Sequence, residues 1–261
     1  MKISLRTLLL AGMVQLAALG AAQAQSGLDA IKQAGAIKIG TEGTYAPFTF
    51  HDGSNQLTGF DVEIGRAIAE RLGVKAEFVE GKWDGLIAGL DVKRYDVVIN
   101  QVGITEARKA KYDFSDAYIS SPAALIVRDD NTAIKAFADL KGKRSANTLT
   151  SNFGKLAQSY GAEIVPVQGF NESIDLLLSR RVDATVNDKL SFLDFKKQKP
   201  NAPVKVVAYA EGKDLNASGV LMRKNNPELR EAINKALADI KADGTYKRIS
   251  EKYFGTDVSA Q

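Results

Sequence analysis

The sequence predicts an α/β fold of two similar lobes, because strand segments alternate with helical segments, because this alternation restarts halfway along the chain, and because one local pattern occurs twice. The strands predicted in the first half are Ile37–Gly40, Val74–Val79 and Asp96–Asn100. Apolar residues at helical spacing over 60–72 and from Trp83 to Leu90 predict helices between them. Gly73 is a natural stop for the first helix. Such alternation indicates a mainly parallel sheet flanked by helices.

The alternation restarts near residue 123. The second half is predicted to contain strands at Ala123–Val127, 144–148, Ile164–Val167 and Val182–Val186, with helices near 152–160 and over Glu172–Arg180. The segment Lys93–Asn100 resembles Ser179–Asn187, since each joins a helix end to basic residues, one apolar residue, an aspartate and a strand that ends near asparagine. This internal repeat predicts two lobes of one design.

The last part of the chain is predicted to return to the first lobe. Strands are expected at Val204–Ala208 and Gly219–Met222, followed by helices over Pro227–Ala242 and Thr245–Phe254. If these helices pack on the first lobe, that lobe is discontinuous, and two chain crossings form a hinge rather than a flexible tether. We therefore predict lobe one at 25–120 plus 214–261 and lobe two at 121–213.

The N-terminus has the features of a secretory signal peptide. Lys2 and Arg6 precede a short apolar run over 8–14, and small residues lead to Ala22-Gln23-Ala24. The apolar run is shorter than the roughly 20 residues that a membrane-spanning helix needs, so we expect cleavage after residue 24. An uncleaved anchor helix is the alternative. Cleavage predicts a soluble, exported protein of the periplasm.

Composition excludes several classes of protein. The chain has no cysteine and one histidine, His51, which excludes disulfides and thiol nucleophiles and argues against a zinc site. We expect His51, beside Asp52-Gly53, to be an exposed turn residue. The 35 basic and 31 acidic residues are nearly balanced, and this balance gives no support for a nucleic-acid partner.

Motifs of catalysis and cofactor binding are missing from the sequence. A Ser-His-Asp triad would have to use His51, and no Gly-x-Ser-x-Gly elbow occurs. No Walker loop and no Gly-x-Gly-x-x-Gly fingerprint occur either. We therefore predict no catalytic residues, no metal, no cofactor and a protein that is not an enzyme.

The loop after the first predicted strand carries two candidate binding residues, because ligands of open α/β sheets bind beyond the carboxyl ends of strands. Glu42 and Tyr45 lie in this loop, within Thr41–Phe48. The glutamate suits a ligand ammonium, and the tyrosine suits a pocket wall. A Pro-Phe turn that closes the core explains the segment equally well.

The segment Asn100–Thr105 follows the third predicted strand and leads to Arg108. A carboxylate ligand needs N–H donors and preferably a guanidinium, whose fork matches two oxygens. A strand end that turns into a helix offers free N–H groups, and Gly103 lets the backbone approach closely. The alternative is that Arg108 belongs to the solvated run Arg108–Lys111.

Two further residues have two interpretations each. Trp83, the only tryptophan, is either a core residue or a clamp over a ligand. Asp188 follows the strand predicted at 182–186, and it either caps the helix that begins at Lys189 or binds a ligand ammonium.

Taken in order, these segments resemble the extracellular solute-binding proteins of polar amino-acid ABC importers. The resemblance covers nearly the whole chain after the signal peptide and is carried by Gly43–Phe48, Gly59–Glu63, Trp83–Ile87, Ile104–Arg108, Tyr112–Asp116, Asp139–Lys143, Val182–Ala184 and Asp243–Thr245. The segments most similar to the cystine-binding subgroup are Glu42–Tyr45, Lys82–Gly85 and Asp96–Val102.

The resemblance implies a type II periplasmic-binding-protein fold that closes on one amino acid, with cystine ahead of arginine, glutamine and glutamate. It implies that Arg108 and the backbone of Gln101 and Gly103 hold the α-carboxylate, and that Asp188 and the Gln101 carbonyl region hold the α-ammonium. The other implied contacts are Tyr45 and Trp83 around the ligand side chain and Ser151, Asn152 and Phe153 from lobe two. The implied partners are an amino acid and the membrane subunits of an ABC importer, with no nucleic acid and no membrane insertion, and the implied state is a monomer.

The chain departs from the family pattern in three places. Gly103 stands where many members carry Ser or Thr, and Ser145–Thr148 replaces a more apolar strand. Thr150 stands where Gly is common. These departures affect the predicted contacts from lobe two and the choice of ligand.

Two other functions remain open. A few dehydratases share this fold class, and they need a carboxylic acid with a raised pKa in the cleft. The candidates for that acid are Glu42, Asp84 and Asp188. The other alternative is a sensor module that reports to a receptor, although such modules are usually fused to a membrane span.

Overall fold

The structure is a computed structural model that describes residues 27–211 and 217–259. The predicted signal peptide, residues 1–24, lies outside the described residues. None of the helices in the two described ranges combines the length and the apolar character needed to cross a bilayer.

The helices and strands follow the predicted alternation. Up to the first crossing between lobes they are α1 (Gly27–Ala34), β1 (Ala36–Thr41), β2 (Thr44–Tyr45), β3 (Thr49–His51), β4 (Leu57–Thr58), α2 (Phe60–Leu72), β5 (Lys75–Glu80), α3 (Trp83–Asp91), β6 (Val97–Val98), α4 (Glu106–Lys109), β7 (Tyr112–Phe114) and β8 (Ile119–Ser120). The second lobe contains β9 (Ala123–Arg128), a 3-10 helix (Phe137–Leu140), β10 (Arg144–Asn147), α5 (Asn152–Ser159), β11 (Glu163–Pro166), α6 (Phe170–Leu178), β12 (Thr185–Asp188), α7 (Lys189–Gln198) and β13 (Val204–Tyr209). The chain ends with β14 (Ala217–Ser218), β15 (Leu221–Arg223), α8 (Pro227–Ala242) and α9 (Thr245–Phe254).

Each lobe is built on a mainly parallel sheet. In the first lobe the strand order is β5-β1-β6-β15-β7, and only β15 runs against its neighbours β6 and β7. In the second lobe β10 pairs in parallel with β11, and a parallel bridge between Ser145 and Ala184 links it to the start of β12. Only β9 runs against its neighbours there, β12 and β13. The predicted fold class is therefore confirmed.

The two lobes are joined by a two-stranded hinge. The chain leaves the first lobe through β8 and returns to it through β14, and these short strands pair with each other in antiparallel register. Two paired crossings restrict the lobes to opening and closing about one region. The lobe boundaries predicted at 120/121 and 213/214 stay predictions, and the second falls among residues 212–216, which the structure does not describe.

Both ends of the chain contribute to the core of the first lobe. Ile233 and Ile240 of α8 are fully buried in the same cluster as Ile37 and Ile39 of β1. Phe60 of α2 contacts α9 through its ring, with centroids 4.9 Å from Phe254 and 5.7 Å from Tyr246. Aromatic pairs at these distances add to the free energy gained by burial. The final helices therefore pack against the core of the first lobe.

The repeated sequence pattern corresponds to a repeated local structure. Lys93 and Arg180 both have positive φ, 58° and 61°. In the first lobe Asp96 accepts the backbone N–H of Lys38 at 2.9 Å, and in the second Asp183 accepts that of Arg144 at 2.8 Å. In each lobe the aspartate thus fixes the start of one strand against the neighbouring strand.

Several predicted elements have different bounds in the structure, and three of these differences have a visible cause. The strand predicted at Asp96–Asn100 is only Val97–Val98, and that predicted at Val182–Val186 begins at Thr185, because the aspartate at each start bonds sideways to the adjacent strand. The helix predicted from Glu172 begins at Phe170. Glu172 lies in the first turn of this helix. Its carboxylate accepts the Gln168 backbone N–H, just before the helix, at 2.7 Å and so stabilises the start of the helix.

Gly59 is a position where only glycine fits. Its φ is 125°, and a Cβ there would lie 2.2 Å from the Phe48 carbonyl oxygen. We expect Gly59→Ala to lower the free energy of unfolding by about 2 kcal/mol or more, because backbone strain and a steric clash add. Urea unfolding measures this loss. The control Gly53→Ala, in an exposed turn with nothing within 4 Å, is expected to change it by less than about 0.5 kcal/mol, and equal effects at the two sites would contradict the strain.

Candidate functional site

The carboxyl ends of β1, β6, β10 and β12 face one another across the space between the lobes. They border a half-open cavity with about 380 Å³ of empty space, including solvent at its mouth. The lining residues are Glu42, Tyr45, Trp83, Asn100 and Gln101 from the first lobe and Thr148, Ser151, Asn152, Phe153, Gly169, Phe170 and Asn187 from the second. Seven predicted site residues are in this lining, and Gly103, Arg108 and Asp188 are not.

Glu42 is a buried acid in the cavity wall. Asn100 binds it at both ends, because its amide Nδ2 donates to Glu42 Oε2 at 2.5 Å and its Oδ1 accepts the Glu42 backbone N–H at 2.8 Å. Burial raises the pKa of Glu42 to about 7, the Asn100 hydrogen bond opposes this rise, and repulsion from Asp84 adds to it. This carboxyl is therefore held in place by an amide, and no cation among the described residues contributes to its pKa.

Arg108 is a buried cation that forms no ion pair within the described parts of the chain. Its side chain is 8% exposed, and burial lowers its pKa to about 10. Its Nη1 donates to the Gly103 carbonyl at 2.9 Å and its Nη2 to the Thr150 carbonyl at 3.3 Å. The guanidinium carbon lies 5.4 Å from the centre of the Trp83 ring. Neutral carbonyls and a ring face leave the charge of Arg108 only partly compensated.

Trp83 is a core residue that also reaches the cavity, whereas its role as a clamp over a ligand stays a prediction. It belongs to a buried cluster with Leu86, Leu90 and Val98, and it also lines the cavity. Its indole Nε1–H is buried and has no hydrogen-bond partner among the residues that the structure covers. Since buried N–H groups are usually paired, this donor is a second unsatisfied group at the cavity.

Asp188 caps a helix, as one of its two predicted interpretations requires. Its Oδ1 accepts the backbone N–H of Leu190 at 2.7 Å, at the start of α7, and the hydroxyl of Ser121 at 2.8 Å. Burial raises its pKa to about 6 against these hydrogen bonds, and the attraction of Lys189 is the smallest of the opposing effects. Its neighbour Asn187 is in the cavity lining, whereas Asp188 itself is not. A contact between Asp188 and a ligand stays a prediction.

Gln101 is held in an unusual conformation by Asp61, a residue that the sequence did not single out. Gln101 has φ 51°. Its backbone N–H and its side-chain Nε2 donate to the two carboxylate oxygens of Asp61, each at 2.7 Å. The backbone N–H predicted to bind a ligand carboxylate is therefore already paired within the protein. An acid beside apolar Phe60 and Val62 on a buried helix was the available signal for Asp61.

The second lobe presents the start of α5 to the cavity. Ser151 caps this helix by accepting the Gly154 N–H at 3.0 Å, and Asn152 and Phe153 follow in the lining. A Cβ on Gly103 would lie 3.2 Å from Asn152 Nδ2. Glycine at this position therefore allows the two lobes to approach. The lining residues missing from the prediction are Asn100, Thr148, Gly169, Phe170 and Asn187.

Direct hydrogen bonds join the lobes around the cavity. Tyr45 donates its hydroxyl to Asn187 Oδ1 at 2.7 Å, and Ser191 donates to the Ala46 carbonyl at 2.9 Å. Asp84 accepts the Thr150 N–H at 2.9 Å. The lobes thus meet on several sides of the cavity, which is the closed arrangement of a hinged pair.

Two lobes on a two-stranded hinge, with a cavity between them whose wall contains buried charges, define a solute-binding protein. Residues 37–256 match the bacterial extracellular solute-binding proteins, family 3. The chain belongs to this family. Among its relatives is the L-cystine-binding protein TcyA of Bacillus subtilis, which is 47% identical over 88% of this chain and 85% of the relative.

Two solved structures can be compared with this one for the arrangement of the lobes. An ancestral arginine-binding protein bound to arginine is 43% identical, with a TM-score of 0.79 over 85% of this chain and 99% of the other. The L-cystine solute receptor of Neisseria gonorrhoeae in its unliganded open conformation is 46% identical, with a TM-score of 0.61 over 90% and 100%. Similar identities with such different scores indicate a different angle between the lobes, in agreement with closure here.

Asp61 is expected to make stability depend on pH. Burial raises its pKa from 3.8 to about 7, against the hydrogen bonds from Gln101 and Tyr118. The unfolded chain therefore releases this proton first, and the folded protein loses stability as the pH rises from about 4 to about 7. Asparagine at this position does not titrate, so Asp61→Asn lacks this loss. The unfolding free energy of Asp61→Asn minus that of the parent should therefore be larger at pH 8 than at pH 5, by at least about 1 kcal/mol.

Thermal or urea unfolding at pH 5 and pH 8 measures this shift. Asp116→Asn, at an exposed position of the same lobe, is the matched control and is expected to give no comparable difference. A constant offset between parent and Asp61→Asn at both pH values would show that Asp61 is ionised as easily in the folded protein as in the unfolded chain.

Proposed function

We propose that this protein binds an L-amino acid by its charged ends in the cavity between the lobes and delivers it, on hinge closure, to the membrane subunits of an ABC importer. The observation that carries the proposal is the buried guanidinium of Arg108, which forms no ion pair within the described residues. A ligand carboxylate would complete it through two parallel N–H···O bonds. Residues Gly103, Trp83 and Thr150 already surround this guanidinium.

Two buried acids provide groups that suit the ligand ammonium. Glu42 and Asp188 have pKa values raised by burial to about 7 and about 6. A cationic group brought between them would favour their charged forms and regain the free energy lost by burial. One ligand with both a carboxylate and an ammonium satisfies the two sides of the site together, and an amino acid has this chemistry.

Cystine is our leading ligand, with arginine, glutamine and glutamate as the other candidates. Tyr45 and Trp83 offer flat aromatic walls to a side chain, and sulfur makes favourable contacts with such rings. Two acids and one guanidinium also suit a ligand with a second cationic group, which cystine and arginine have and glutamine lacks. The 47% identity to an L-cystine-binding protein supports the same order.

A periplasmic location and a binding rather than a catalytic role belong to the same proposal. The family consists of extracellular solute-binding proteins, which supports export by cleavage of residues 1–24. A monomer is sufficient, since one chain supplies both sides of the cavity.

The second candidate function is a dehydratase, because Glu42 lines the cavity and its pKa of about 7 suits a general acid. Turnover of a cyclic, prephenate-like acid by the pure protein would favour that function, and tight amino-acid binding without turnover would exclude it.

Removal of the guanidinium is expected to abolish most of the affinity. Arg108→Ala should raise the Kd for the preferred amino acid by about 30-fold or more, because the ligand carboxylate is then desolvated without a partner. Arg108→Lys should retain part of the affinity, since it keeps the charge but loses the fork. Titration calorimetry with cystine, arginine, glutamine and glutamate measures the effect. Arg248→Ala, at an exposed position of α9, is the control. An unchanged Kd in Arg108→Ala would remove Arg108 from the site.

Ligand binding is expected to release protons near pH 6.5. Before binding, Glu42 and Asp188 are partly protonated, because their pKa values are about 7 and about 6. An ammonium lowers both pKa values, so the affinity should fall as the pH is lowered from 8 to 5, by at most about tenfold per pH unit for each group.

Calorimetry at pH 6.5 in two buffers of different ionisation enthalpy counts the released protons. Glu42→Gln should reduce the count, whereas Glu106→Gln, an exposed position on α4, should leave it unchanged. An affinity that is independent of pH between 5 and 8, with no released protons, would contradict the pairing of these acids with a ligand cation.

A further inference from the structure

Thr150 connects the second lobe to the first through every polar group it has. Its backbone N–H and its hydroxyl donate to Asp84 Oδ1 at 2.9 and 2.8 Å. Its carbonyl accepts from Arg108 Nη2 at 3.3 Å. The adjacent Leu149 N–H approaches the other Asp84 oxygen at 3.4 Å. One residue of lobe two is thus bound by an acid and a base of lobe one.

This contact lies beside the cavity and not in its wall. Asp84 directly follows Trp83 on α3, and Thr150 lies between Thr148 and Ser151; these three neighbours line the cavity, whereas Asp84 and Thr150 do not. Asp84 also stands in the first turn of α3, where the helix dipole favours a charged carboxylate. The pair therefore connects protein to protein next to the ligand site without occupying it.

The threonine hydroxyl is a feature of this chain and not a requirement of closure. At this position the family resemblance favours glycine, which offers only the backbone N–H to an acid. Here Asp84 Oδ1 accepts two hydrogen bonds from one residue. Hydrogen bonds to an ionised acceptor are stronger than those between neutral groups, so the extra hydroxyl adds a contribution that exists only while the lobes are together.

We propose that Asp84 and Thr150 form a closure latch, a pair of positioning residues that sets the population of the closed form and the residence time of the ligand without contacting the ligand. This inference rests on the proposed function, because it requires the hinge to open and close. A latch made only in the closed form stabilises that form by itself. The apparent Kd then equals the intrinsic Kd divided by the closed fraction, so a weaker latch raises the Kd for every ligand by the same factor.

The latch is expected to act on dissociation. The ligand meets the open cleft before Asp84 and Thr150 come together, so the association rate should not depend on them. Release requires opening, and opening breaks the latch. A residue that contacts the ligand would instead change the relative affinities among amino acids.

The test compares Thr150→Val, which removes only the hydroxyl at nearly constant volume, with Thr150→Ser, which restores it, and with Asp84→Ala, which removes the acceptor. Stopped-flow kinetics with cystine should give dissociation rates about three- to tenfold faster for Thr150→Val, faster still for Asp84→Ala, and close to the parent for Thr150→Ser, the factors expected for single hydrogen bonds. Association rates should stay within about twofold, and the ratio of Kd values for cystine and arginine should not change.

A ligand-independent arm separates this inference from the proposed function. The chain has no cysteine, so Lys111→Cys in lobe one and Lys155→Cys in lobe two give one spin label each at exposed positions. Distance distributions without added ligand should contain a larger closed fraction in the parent than in Thr150→Val or Asp84→Ala. Melting temperatures identify any variant that fails to fold.

Equal closed fractions and equal dissociation rates in the parent and in both weakened variants would overturn the latch. A changed ratio of Kd values in Thr150→Val would also overturn it, because the threonine side chain would then contact the ligand. If no amino acid binds to any variant, the proposed function fails, while the distance distributions still decide whether the latch exists.

Discussion

The arrangement of the cleft depends on one buried charge. Arg108 is 8% exposed as a whole residue, and its guanidinium contacts two carbonyls and an indole face, with no carboxylate beside it among the described residues. Such a charge is costly to keep away from water, by several kcal/mol when no partner compensates it. The fold tolerates this at the place where two lobes can separate and readmit water. In the proposed function a ligand carboxylate removes this cost in the closed form, and the ligand thereby favours closure.

Two buried acids, Glu42 in the first lobe and Asp188 in the second, have the complementary problem. Glu42 and Asp188 are held by amide, hydroxyl and backbone donors, and burial raises the pKa of each. A positive group between them favours their ionised forms as the lobes exclude water and strengthen the charge-assisted bonds. In the proposed function binding and closure are therefore one event, and the paired strands β8 and β14 confine it to a hinge motion.

Much of the fold could be predicted because it depends on local patterns. The bounds of α2 and α9 were predicted correctly from local patterns. The sequence repeat around Asp96 and Asp183 corresponds to equivalent hydrogen bonds in both lobes. Strand ends were less predictable. Their limits are set by side chains that bond to a neighbouring strand far away in sequence, and β12 therefore begins later than its apolar run suggests.

The site was predictable where residues follow strand ends and less so where partners are distant. Glu42 and Trp83 were found from their positions in the pattern, but the amide that holds Glu42 comes from Asn100, 58 residues away. Asp61 was missed because its role depends on the left-handed conformation of Gln101. Thr150 was noted as a departure, and only the structure identifies Asp84 as the group that it meets.

The pairing of Arg108 with a ligand carboxylate is tested most directly by a crystal structure of the protein with its tightest-binding amino acid. Mass spectrometry of the small molecule that co-purifies with the protein identifies that amino acid. The account predicts the ligand carboxylate on the guanidinium of Arg108, with N···O distances of about 2.7–2.9 Å, and the ligand ammonium on the side of Glu42 and Asp188. A ligand whose carboxylate lies elsewhere, or an Arg108 side chain that points out of the closed cleft, would contradict it.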